Sequence, residues 1–97
     1  MSRQDYKKGD LLQKGECMQL FMDELRIGQT TYYHNFRDSI KFKSYGKKIG
    51  ENGEIKETMF RIPYEVAIGL INRVKDDPQP DDPSMEELKE FVHYMPA

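Results

Sequence analysis

Gln29, Thr30, Tyr33, His34 and Arg37 fall within RIGQTTYYHNFR, residues 26–37, and their side chains are of the kinds that contact duplex DNA. Glutamine, threonine and histidine offer hydrogen bonds to base edges, and arginine reaches guanine or a phosphate. A tyrosine hydroxyl is suited to a phosphate oxygen. On a helix, Thr30, Tyr33, His34 and Arg37 face outward, while Tyr32 and Phe36, four apart, face a core with Ile27. The following segment adds Lys41, Lys43, Lys47 and Lys48, with Arg61 on a return strand. A polar helix face is commonly just a solvated one, and hairpin lysines often protect a strand edge. Here the two features adjoin, which favours contact with phosphates or the minor groove.

Other chemistry finds little to work with. His34, His93 and Cys17 are too few and too badly spaced for a zinc site. Cys17 falls on a core-facing position, where a thiol is inert. The glycines of GKKIGENG lack the spacing and the strand-to-helix context of a phosphate loop. Asp23-Glu24 and Glu86-Glu87 read as solvated helix positions. The expectation is a protein that is not an enzyme and needs no metal or cofactor.

The bulk properties set the frame for these residues. A chain of 97 residues is one domain in size. It can bury about 60–65% of its unfolded surface, enough for one modest core. No apolar run approaches the ~20 residues of a membrane span. MSRQDYKKGD lacks the apolar centre of a signal peptide. One cysteine cannot form an internal disulfide, so a reducing compartment, the cytoplasm, is expected. The net charge of −2 argues against a nonspecific nucleic-acid coat, but the charges are unevenly placed. Residues 26–61 hold eight Lys/Arg against four acids, whereas residues 75–97 hold two against seven. Phosphate binding follows the local patch, because screening sets in beyond about 8 Å at physiological salt.

Hydrophobic spacing predicts the elements that carry these residues. Residues 1–10 are polar and expected to be flexible, and residues 11–75 form the domain. Cys17, Leu20, Phe21 and Leu25 mark a first helix over about Gly15–Leu25, with Met18 and Met22 widening its stripe. Gly28 interrupts the pattern, and a second helix runs from Gln29 to about Asp38. Ile40 and Phe42 then alternate with lysines, a strand period. Asn52-Gly53 is a turn signal within a Tyr45–Gly53 connection. The return strand covers about Ile55–Ile62, with Phe60 and Ile62 inward and Met59 and Arg61 outward. Lys56 shares the parity of Phe60, so it lies beyond the core or a bulge intervenes. Pro63 suits the first position of a third helix, whose buried stripe is Ala67, Leu70, Ile71 and Val74. Gly69 weakens that helix by roughly 1 kcal/mol relative to alanine, a cost that close packing would explain. DDPQPDDP, residues 76–83, is a stiff acidic linker. Ser84 and Glu87 form a capping box for a C-terminal helix over residues 84–97, with Met85, Leu88, Phe91, Val92 and Met95 on its apolar side.

The order helix, turn, helix, hairpin, helix predicts an α+β winged helix-turn-helix with an added C-terminal amphipathic helix. From Gly15 to Val74 the chain resembles the excisionase and MerR-like group of small winged-helix DNA-binding proteins. The matching stretches are MDELRIG, QTTYYHNFR and TMFRIPYEVAIGLI. The resemblance implies groove-facing roles for Gln29, Thr30, His34 and Arg37, a wing role for Arg61, and core positions for Tyr32 and Phe36. It further implies double-stranded DNA as partner, at repeated or palindromic sites that are bent or bridged, with homodimeric or cooperative assembly. In the excisionase branch the output is recombination directionality, and elsewhere it is transcription regulation. The chain departs from the pattern at Gly28, where serine is usual, and at His34, where arginine is usual. Its wing is also longer than in compact members.

The C-terminal helix is expected to fold back on the domain. Its alternative is a dimer interface or a docking face for an integrase or another protein. Two rival functions follow. Tyr32, Tyr33, Phe36, Phe42 and Tyr45 interleave with basic residues and suit a single-stranded nucleic-acid binder, although only one hairpin is visible where an OB-type platform needs about five strands. A phage-type protein-binding inhibitor or adaptor would instead use the last helix.

Overall fold

The computed structural model describes residues 6–93. Their α+β fold combines helices with a three-stranded antiparallel sheet and is compatible with a winged helix. The chain runs β1 (Leu11–Leu12), α1 (Lys14–Leu25), α2 (Gln29–Tyr32), a π-helical turn (Tyr33–Arg37), β2 (Lys43–Ile49), β3 (Ile55–Pro63), α3 (Tyr64–Val74) and α4 (Met85–Lys89). The sheet order is β1-β3-β2. Among the described residues no helix is long and apolar enough to cross a membrane.

α1 presents Cys17, Leu20 and Phe21 to the core, as its spacing predicts. Its start is secured by Glu16, whose carboxylate accepts the Gln13 N–H at 2.8 Å. Burial raises the Cys17 thiol to about 12, although the side-chain hydrogen bond with Tyr32 opposes the rise. An aromatic thiol reagent should therefore leave native protein unmodified and react only once denaturant opens the core. Rapid stoichiometric modification without denaturant would contradict the burial.

Gly28 takes the N-cap position of α2, extended at φ −85° and ψ 171°, in keeping with its place opposite the usual serine. The reversal before it falls on Arg26, in the left-handed region at φ 55° and ψ 48°, and the Ile27 N–H closes the end on the Met22 carbonyl at 3.1 Å. A non-glycine residue pays about 1–2 kcal/mol for that conformation, partly offset by its smaller entropy loss on folding. Arg26→Gly should thus raise unfolding stability by about 0.5–1 kcal/mol, read as a higher urea midpoint at unchanged slope.

α2 is anchored by aromatic packing. The Phe21 ring meets Tyr32 edge-on at 5.7 Å between centroids and Phe36 at 5.5 Å. The helix expected over 29–38 is not uniformly α. From Tyr33 it widens into a π turn, whose bonds skip one residue more, so later side chains leave the 3.6-residue spacing.

The hairpin is longer than the sequence implied. The segment from Tyr45, expected as connection, is strand as far as Ile49, and Ile49 pairs with Ile55. Gly53 takes φ 77° in the tight turn, and its N–H reaches the Gly50 carbonyl at 3.0 Å. Met59 has a left-handed φ of 55° within β3. A Cβ at Gly46 would lie 2.8 Å from Thr58 Oγ1 and 3.1 Å from Met59 Sδ, so the distortion needs glycine opposite it. Beyond this kink the expected inward Phe60 is 38% exposed, while Ile62 is fully buried. Ile40 is held outside the strands by an isolated bridge to Val92.

The remaining helices also correct details. Pro63 ends β3 and is the N-cap of α3, not its first residue. Val74 is exposed, and Val66 takes its expected place in the core because α3 starts at Tyr64. Gly69 faces Leu88 and Pro83, each 3.1 Å from where its Cβ would stand. The C-terminal helix is confined to Met85–Lys89, capped by Ser84 Oγ accepting the Glu87 N–H at 3.3 Å. Leu88, Phe91 and Val92 are buried, and the His93 N–H donates to the Ser39 carbonyl at 2.8 Å. The last helix thus folds back on the domain as expected, its Leu88, Phe91 and Val92 joining the core while Met85 stays exposed. Met95 lies outside the described residues.

Residues 6–10, expected to be flexible, are instead pinned. The Tyr6 ring meets that of Tyr64 at a tilt, 5.8 Å between centroids, the Gly9 N–H donates to Glu65 at 3.1 Å, and the Tyr64 N–H donates to the Asp10 carbonyl at 2.8 Å. This feeds the chain into β1, two residues that pair Leu11 with Pro63 and Leu12 with Ile62. Nothing in the sequence period marked that strand.

Candidate nucleic-acid interface

The outer side of α2 and its π turn carries all five of the residues singled out there. Gln29, Thr30, Tyr33, His34 and Arg37 are exposed. Three of them form a ladder. Gln29 Nε2 donates to the Tyr33 hydroxyl at 2.9 Å, and the Arg37 guanidinium lies over the Tyr33 ring at 5.0 Å. This ordering removes rotamer freedom in advance, which lowers the entropy cost of a later contact. Arg37, which the sequence allowed to reach guanine or phosphate, is folded back toward Tyr33. Thr30 and His34 have no side-chain partner among the described residues and remain open to a ligand.

The wing's cations divide. Lys43 is engaged within the protein, 3.1 Å from Glu90 and 4.6 Å above the Phe91 ring. A phosphate contact by Lys43 would have to compete with Glu90, a partner that the sequence does not reveal. Arg61, opposite Lys43 in the sheet, donates to the Phe60 carbonyl at 2.9 Å. Lys41 is exposed, and its backbone N–H is bound to the Phe91 carbonyl at 2.7 Å. Lys47 and Lys48 are exposed near the tip, opposite Glu57 and Lys56. Glu54 sits 3.6 Å from Lys56. Residues 47–57 hold three lysines and three glutamates, so the tip carries no net charge. Any phosphate attraction there depends on the local orientation of Lys47 and Lys48.

One cation escaped sequence reasoning. Lys14, in the first turn of α1, lies 5.9 Å from the Phe42 centroid and 5.8 Å from that of Phe60. Those rings are distant in sequence, so no local pattern marks the residue. It shares the wall of an open hollow with Arg37.

Among the described residues no group of three or more His, Cys, Asp or Glu is placed to hold a metal ion. The arrangement offers hydrogen-bonding and cationic side chains on one helix, flanked by a projecting hairpin. No family model matches the chain, and neither curated proteins nor solved structures include a significant match.

Proposed function

We propose that this chain is a winged helix-turn-helix protein that binds double-stranded DNA sequence-selectively. The helical segment Gln29–Arg37 enters the major groove, and the hairpin lies along the adjoining backbone. The single observation that carries this reading is the outer face of that segment. Thr30 and His34 stand exposed, without side-chain partners among the described residues, on the same segment as Arg37, which lies over the Tyr33 ring. Base edges discriminate through such hydrogen bonds, whereas phosphates supply affinity and salt dependence. With Lys43 tied to Glu90 and a neutral hairpin tip, the helix side carries more of the binding than the wing. The resemblance to excisionases and MerR-like proteins gives the role, either recombination directionality or transcription regulation.

The test is selection from a pool of random duplex DNA, followed by sequencing, at two salt concentrations. Enrichment of a motif with steep salt dependence supports the reading, and a repeated or palindromic motif indicates a dimer on DNA. Absence of binding at low salt overturns it. A protein adaptor acting through the last helix finds no support, since Leu88, Phe91 and Val92 are buried.

A further inference from the structure

Beside the groove-facing segment lies an open hollow of about 370 Å3, walled by Lys14, Met18, Tyr33, Arg37, Ile40 and Phe42. Its two cations are positioned by aromatic rings, Lys14 over Phe42 and Phe60 and Arg37 over Tyr33. A ring face attracts a cation through its quadrupole and leaves the formal charge intact. Neither cation forms a salt bridge among the described residues. Asp38 also lines the hollow, so two positive charges face one negative charge. Met18, Ile40 and Phe42 contribute apolar side chains to the lining, alongside the tyrosines Tyr32 and Tyr33.

An ammonium and a guanidinium beside apolar side chains match a ligand with an anionic head on a carbon-rich body. Inorganic phosphate alone is too small to use the whole space. We propose that the hollow is a sugar-phosphate site, in which Lys14 and Arg37 hold phosphate oxygens and Met18, Ile40 and Phe42 meet the sugar. This rests on the DNA-binding reading for its source, a backbone phosphodiester next to the groove. A free nucleotide carries the same chemistry.

The test uses the full chain with thymidine monophosphate, inorganic phosphate and a random-sequence duplex. Amide NMR shifts locate the small ligands, and a salt titration measures duplex affinity. The nucleotide should shift Lys14, Gly15 and Arg37 amides at lower concentration than inorganic phosphate does. Lys14→Gln should abolish those shifts, weaken duplex binding several-fold and reduce the slope of log affinity on log salt by about one. It should leave the thermal midpoint unchanged, and Lys14→Arg should restore binding. Nucleotide shifts at the hollow without any duplex binding by the wild type support the site with a free nucleotide as its ligand and overturn the DNA reading. Duplex binding that Lys14→Gln leaves untouched, with no nucleotide shifts at the hollow, overturns the site alone.

Discussion

A chain ending at Asp82 should fail to fold. Leu88, Phe91 and Val92 are 2%, 6% and 9% exposed, and they fill space against α3 and the chain that follows the π turn. Gly69 has no side chain because Leu88 and Pro83 occupy that position. Deleting a buried leucine side chain to alanine costs about 2–5 kcal/mol, and a phenylalanine about 3–5 kcal/mol. A domain of this size has about 5–15 kcal/mol in total. Losing three such side chains, with the strand-like bonds of Lys41 and His93, removes most of it. The point variant Leu88→Ala should remain folded but lower urea stability by about 3 kcal/mol. A truncated chain with a cooperative transition near that of the full protein would show that the segment is an appendage.

The second large effect concerns discrimination between DNA sequences. Replacing both Thr30 and His34 with alanine should bring affinities for a preferred and a random duplex about 30- to 100-fold closer together. That corresponds to about 2–3 kcal/mol of lost base contact. Both side chains are exposed and outside the core, so circular dichroism and the unfolding midpoint should hardly change. Lys48→Ala provides the contrast. It should weaken binding to both duplexes alike and lower the salt slope by about one if its ammonium meets a phosphate. Equal losses on both duplexes for the Thr30/His34 double variant would count against groove reading by this helix.

The sequence was most legible where burial imposes a period. Cys17, Leu20 and Phe21 are buried at the positions their spacing implies, and Tyr32 and Phe36 turn inward from the next helix. Ser84 caps the last helix, which packs back on the domain. Failures occurred where position depends on distant partners. β2 continues through Gly46, Lys47 and Lys48 because β3 pairs with it, although neither tip strand is buried and so no alternation is written there. Met59 enters the left-handed region, and a strict two-residue period then misplaces Phe60. Lys43 meets Glu90 across 47 residues of chain, an exposed ion pair that no local pattern could show. β1 is too short to show any period.

The hairpin beyond Gly46 and Thr58 has a consequence for timing. Residues 47–57 are all at the surface or in the turn, with Ile49 and Ile55 76% and 68% exposed. A two-stranded ribbon without a buried face is marginally stable in water. Its amides should therefore exchange with solvent through local openings that cost far less than global unfolding, whereas Ile62 and Ile71 exchange only with the whole domain. In the proposed DNA complex such an arm would lose its freedom on contact. Part of the interaction energy would go into ordering it, which would favour rapid release over long residence.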